Sequence, residues 1–139
     1  MTSLPTLTWN KRRKAFFCFY FDKSGDGAHE FMGMGRIGGK FVGFHVIGTT
    51  LWARVSDGTN ITEIEMGTVA IQTYYQCRID FLPNDKVHFV FGQLTLNVTT
   101  NMPTGLDDAN VFPSIEASTD DATVNALVRC NEARFVQFP

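Results

Sequence analysis

From Tyr75 to Phe81 the chain alternates strictly, apolar at odd positions and polar at even ones, and after Pro83-Asn84-Asp85 the run Val87-His88-Phe89-Val90-Phe91 runs back with apolar residues again at its odd positions. In an extended strand successive side chains point to opposite faces, so a period of two makes a half-buried strand, whereas a helix needs apolar residues every three or four positions. The pair of runs predicts an antiparallel hairpin in which Cys77, Ile79, Phe81, Val87, Phe89 and Phe91 face one core. No segment of the chain carries a helical stripe of useful length, and long stretches of Ala, Leu, Glu and Lys are missing, while 13 Phe and 12 Gly favour strands and turns.

The remaining segments read the same way. Residues 15–21, Ala-Phe-Phe-Cys-Phe-Tyr-Phe, are apolar on both faces and stop at the turn cluster Asp22-Lys23-Ser24-Gly25-Asp26-Gly27, which predicts a strand covered on both sides. Residues 40–47 and 51–55 are β-rich runs separated by Gly48-Thr49-Thr50, a hairpin spacing. Leu51, Ala53 and Val55 share one face of the second run, and Trp52 and Arg54 the other. A turn at residues 56–60 leads into an alternating strand at 61–66, ended by Gly67. Residues 94–100, 111–117 and a segment within 124–138 complete a set of nine or ten short strands, the pattern of an antiparallel sandwich or barrel.

With 139 residues the chain is expected to form one domain, residues 1–139, with a core large enough to stand without disulfides or structural metal. Cys18, Cys77 and Cys130 are an odd number at wide spacing, so neither a disulfide framework nor a zinc site is read from them. A net charge of −2 excludes a generally basic nucleic-acid binder. There is no apolar run long enough for a membrane-spanning helix and no signal-like apolar segment near the N-terminus, so the sequence predicts no membrane partner and a chain made in a cytoplasm.

Four motifs stand in order along the chain: Leu4-Pro5-Thr6-Leu7, Leu51-Trp52-Ala53-Arg54 with Asp57-Gly58-Thr59, Gln76-Cys77-Arg78-Ile79-Asp80, and Thr99-Thr100-Asn101-Met102-Pro103-Thr104-Gly105. Together they resemble, collinearly, the concanavalin-like (laminin-G/lectin-like) jelly-roll domains of tailed-phage and other virion structural proteins. The Gly92-Gln93 turn departs from the family's Asp-Gly, and the likeness starts at what would be the second strand of a complete domain. The resemblance implies an all-β, two-sheet antiparallel jelly-roll sandwich. It also implies a non-enzymatic virion structural protein, a head-decoration or minor component assembled in the host cytoplasm, with itself as homo-oligomer and other virion proteins as partners. The alternative is a carbohydrate-binding module for a cell-surface glycan.

Candidate chemistry is sparse. Glu63 and Glu65 share a strand face, roughly 6.6–6.8 Å apart by strand rise, but no third acid follows to complete the pattern of this fold's glycosidases, so no catalytic residue and no hydrolytic activity are expected. Asp22 and Asp26 begin an oxygen-rich loop, yet Gly33 stands where a twelfth-position Glu would close a calcium site, and ordinary turn chemistry accounts for them. Asp107-Asp108 and Asp120-Asp121 are loop acids of the same kind. His29, His45 and His88 show no ligand spacing, so no metal and no cofactor are predicted. Trp52, Arg54, Arg78, Asp80 and His88 all point away from the core by alternation and form the candidate glycan-binding set, an aromatic with charged hydrogen-bonding groups. Lys11, Arg12, Arg13 and Lys14, with Phe16, Cys18 and Tyr20, form the candidate interface, because the latter three are the second apolar face of a strand whose edge the resemblance leaves unpaired.

Overall fold

The computed structural model describes residues 8–23, 28–106, 113–119 and 127–139. The Leu4-Pro5-Thr6-Leu7 motif, most of the candidate calcium loop, and the acids at 107, 108, 120 and 121 lie outside them. The strands are β1 (Arg13–Lys23), β2 (Ala28–Gly35), β3 (Lys40–Ile47), β4 (Thr50–Asp57), β5 (Ile61–Thr68), β6 (Thr73–Leu82), β7 (Lys86–Phe91), β8 (Leu94–Val98), β9 (Ser114–Thr119) and β10 (Leu127–Gln137). They form two five-stranded sheets, β10-β1-β6-β7-β8 and β5-β4-β3-β2-β9, with every neighbouring pair antiparallel.

The alternation of the hairpin is realised as β6 and β7. Ile79 lies opposite Phe89 and Phe81 opposite Val87, and all six inward residues, Cys77, Ile79, Phe81, Val87, Phe89 and Phe91, are buried in one cluster. That cluster also takes Phe17, Phe19 and Phe21 from β1 and Val42, Phe44, Val46, Leu51, Ala53 and Val55 from the facing sheet. Phe44 meets Phe89 and Phe91 edge-on, at 5.5 and 5.1 Å between centroids, which locks the two sheets together through aromatic carbon. The turn from β7 to β8 has two residues, and Gly92 occupies it with a φ of 59°, a left-handed conformation natural to glycine.

Sequence pattern misses β2. Its Ala-His-Glu-Phe-Met-Gly-Met-Gly shows weak alternation because Gly33 and Gly35 stand where outward side chains would be. The pairing explains Gly33: it lies opposite Gly43 of β3, and a Cβ added at either residue would come within 2.9 or 2.6 Å of the Phe41 ring tip. Phe41, fully buried, thus lies across a floor made by two glycines on the outer side of this sheet.

One expectation about the N-terminal strand is corrected. β1 is not an edge, because β10 pairs along it from Arg13↔Gln137 to Lys23↔Leu127 and β6 takes the other flank. The C-terminal part of the same chain therefore occupies the position that pattern reading leaves open to a neighbour. Arg13 of the candidate interface set lies inside the chain's own packing. It is only 1% exposed, its guanidinium lies 4.0 Å from the Trp9 ring centroid, and its Nε donates to the Thr8 carbonyl at 3.2 Å. It faces inward at the end of the core because it continues the inward register of Ala15, Phe17 and Phe19, with Trp9 shielding it.

Candidate functional site

The outer face of the β5-β4-β3-β2-β9 sheet carries a built polar network. Cross-strand pairing places Glu65, Trp52, His45 and Phe31 in one row, and Glu63, Arg54, Gly43 and Gly33 in the next. Glu63 Oε2 accepts from Arg54 Nη1 at 3.0 Å and from His45 Nδ1 at 2.6 Å. On its other side His45 Nε2 lies within hydrogen-bond distance of His29 Nδ1, at 3.0 Å. The Phe31 ring stacks on His45 at 4.0 Å and 14°, and the Arg54 guanidinium lies 5.4 Å from the same Phe31 ring. Arg54, Glu63, His45 and Phe31 are each held by at least two of the others.

The electrostatics follow from that geometry. Burial pushes the Glu63 carboxyl upward, but hydrogen bonds from His45 and Arg54 and their charges outweigh it and hold the group below its ordinary range. Glu63 is therefore an anion at neutral pH and cannot serve as a general acid there. Two donors on β4, Trp52 Nε1 and Arg54 Nε, are buried without a hydrogen-bond partner among the described residues. Such groups are rare in folded proteins.

The candidate glycan-binding set divides. Trp52 and Arg54 stand on this face, but Arg78 and Asp80 on β6 and His88 on β7 stand on the outer face of the other sheet, across the thickness of the core. Those three are brought near one another. Asp80 is bound by Arg12, Nε to Oδ1 at 3.1 Å and Nη2 to Oδ2 at 2.9 Å, and His88 Nδ1 meets Asn97 Oδ1 at 2.7 Å. Arg12 also lies 4.9 Å from the Phe138 ring centroid. Of the interface set, Lys11 is exposed and Lys14 half-buried, while Phe16, Cys18 and Tyr20 point outward beside β6. Phe16 is 39% exposed, Tyr20 packs on the 61%-exposed Tyr74 at 4.6 Å, and Phe16, Cys18, Gln76, Glu132 and Arg134 line an open cavity of about 300 Å³. The three cysteines are free, and burial pushes the Cys77 thiol pKa upward.

His29, Phe31, His45 and Glu63 are the residues that pattern reading does not gather into a site. One link is available in the sequence: the hairpin turn at residues 57–60 sets Arg54 opposite Glu63. The others depend on β2 and on β3 lying next to it.

No protein-family model matches this sequence, and no curated protein matches it either. Solved structures do match. A protein of unknown function from Shewanella oneidensis MR-1 superposes with a TM-score of 0.71 at 13% identity over 95% of this chain and 60% of its own. The botulinum neurotoxin serotype G binding domain gives 0.65 at 9% over 93% of this chain, which spans only 33% of that one. An alginate lyase from Alteromonas sp. 272 gives 0.63 at 7% over 96% of this chain and 75% of the lyase. At such identities the likeness carries the fold alone, and the chain is an all-β, antiparallel two-sheet jelly-roll sandwich.

Proposed function

We propose that this protein is a non-catalytic binding module that holds a glycan against the outer face of β2, β3, β4 and β5. The observation that carries this reading is the Arg54–Glu63–His45–His29 network laid beside Phe31 and Trp52. Sugar recognition uses aromatic carbon to cover a ring face and fixed polar groups to read hydroxyls, and groups already held in place lose little freedom on binding. Binding is favoured over glycoside hydrolysis because Glu63 is locked as an anion between two cationic or donor partners, where an acid catalyst needs a raised pKa. The test is retention of the purified chain on immobilised glycans, or a glycan array. Trp52→Ala and Arg54→Ala should abolish a signal that His88→Ala preserves; equal retention by all three variants would refute the placement.

A second reading is favoured by the exposed aromatic carbon of Phe16 and Tyr74 on the opposite sheet. There the protein would act by assembly, with copies of itself or other virion proteins, as a head-decoration or minor structural component. Light scattering on the eluting chain bears on the two, since assembly predicts an oligomer without glycan, whereas glycan binding on the other sheet requires no second copy.

A further inference from the structure

The strands that end the two sheets are not alike. β5 carries Glu63 and Glu65 and a register shift against β4, β9 carries Glu116, and β10 carries Glu132 and Arg134 and register shifts against β1. Charges and bulges are devices by which natural edge strands avoid pairing with another chain. β8 has neither. Its sequence, Leu94-Thr95-Leu96-Asn97-Val98, holds no charge and no proline, its register with β7 is unbroken, and among the described residues no strand pairs with its other flank. The two-residue turn makes Phe91 and Leu94 a hydrogen-bonded pair. By alternation Leu94, Leu96 and Val98 then aim their backbone groups at β7, and Thr95 and Asn97 aim theirs away from the sheet.

The core-side residues of the same strand are incompletely covered. Val98 is buried, but Leu96 is only half-buried and Leu94 is 37% exposed. Ile64, inward on β5 opposite Ala53, is 38% exposed on the same open side of the sandwich, where β5 touches β8. We propose that the β8 edge is an interface with a second copy of this chain, in which two β8 strands pair antiparallel about a two-fold axis at Leu96 and join their sheets into one. In that register Thr95 stands opposite the partner's Asn97, each such pair exchanges both of its N–H···O bonds, Leu96 meets its own image and Leu94 meets the partner's Val98. Apolar falls on apolar and polar on polar. A second copy is the occupant that fits, because the strand presents the same polar pattern in both directions and no charge meets its image across the axis, and a net charge of −2 adds little repulsion between copies. Both outer faces stay open in this pair, so it rests neither on glycan binding nor on assembly through Phe16 and Tyr74.

The experiment is sedimentation equilibrium of the full chain without glycan, from roughly 1 µM to 1 mM, the range of a short, transient interface. The average mass should rise from one chain toward two and level there, as a closed two-fold contact requires. Thr95→Pro removes an outward N–H at a position where an edge strand tolerates proline, and should weaken the association about tenfold or more. Thr95→Lys, which keeps the N–H and places a charge on the edge, should weaken it in the same direction. The Phe16→Ser, Tyr74→Ser double variant should leave it unchanged. Thermal midpoints control for folding. On the wild-type chain, the amide protons of Thr95 and Asn97 should gain protection from hydrogen exchange as concentration rises, while those on the free flank of β10 should not. A chain that stays monomeric across the range, an association that survives Thr95→Pro in a folded variant, one that is lost in the Phe16 and Tyr74 double variant, or exchange at Thr95 and Asn97 that ignores concentration would each overturn the edge contact. Because no glycan is present, each of these results leaves the glycan reading to its own test.

Discussion

The two outer faces of the sandwich are built on opposite principles. On the β5-β4-β3-β2-β9 sheet the outward groups are tied to one another, with Arg54, Glu63, His45 and His29 in a continuous hydrogen-bonded line and Phe31 and Phe41 packed beside them. On the β10-β1-β6-β7-β8 sheet the polar groups pair locally, Arg12 with Asp80 and His88 with Asn97, and aromatic carbon at Phe16 and Tyr74 is left facing water. Small proteins expose scattered apolar residues without consequence, so exposure by itself assigns no role to the second face. Hydrogen-bonded side chains spread over four strands, each restricting the next, are harder to account for by solvation. That contrast is the ground for the proposed recognition on the first face and for placing the alternative, assembly, on the second.

The two faces share one core, so the harshest perturbation is one that removes the layer between them. Phe89 is fully buried against Phe44, and Phe89→Ala should cost roughly 3–5 kcal/mol, read as a large fall in the thermal midpoint with both faces lost together. An unchanged midpoint would mean that the inward register is inverted. A milder test compares the acids. Glu63→Ala strips Arg54 Nη1 and His45 Nδ1 of a common acceptor and should cost about 1 kcal/mol after allowance for its partial exposure. Asp80→Ala on the opposite face should cost less, since Arg12 remains open to water. A reversed order in chemical denaturation would show that the network is no more than a surface decoration.

Acid sharpens the same comparison. Asp80 loses solvation on burial, which raises its pKa, but the hydrogen bonds and charge of Arg12, with Lys14 and Arg78, hold it below the ordinary carboxylate value. A folded-state pKa below the unfolded one contributes stability that is present above the unfolded value of about 3.9 and is lost as pH falls through the lower folded value. Asp80→Asn should therefore leave an acid-unfolding curve that is shallower below about pH 4 than that of the wild type, measured by circular dichroism. The smallest effect on stability belongs to the exposed aromatics: Phe16→Ser and Tyr74→Ser should each shift stability by no more than about 0.5 kcal/mol. Their readout is chromatographic, since an oligomer that persists in the double variant would remove that face from assembly.

Much of the inward surface is legible in the order of residues alone. Cys77 to Phe91 alternate so cleanly that strand, hairpin and buried face follow from period two, and Leu51, Ala53 and Val55 follow likewise. The site is legible only in fragments. Trp52 and Arg54 read as outward, and the short turn after Asp57 is enough to set Arg54 beside Glu63. His29 does not, because its strand is diluted by Gly33 and Gly35, glycines demanded by the close approach of Gly43 and Phe41 and of Lys40 and Trp9.

What the sequence determined by itself is most of the strands, β2 excepted, the turns between most of them and the side of each alternating strand that meets the core, because alternation relates a side chain to the plane of its own strand. Which outward residues share a surface was decided only by tertiary structure. Pattern alone cannot say that β4 and β6 belong to different sheets, and so it joins Trp52 and Arg54 to Arg78, Asp80 and His88 across the core. Nor can it say that β10 pairs with β1, where Arg13 meets Gln137. Sheet partnership is settled by closure of long loops and by packing of the whole core, and no local period carries that information.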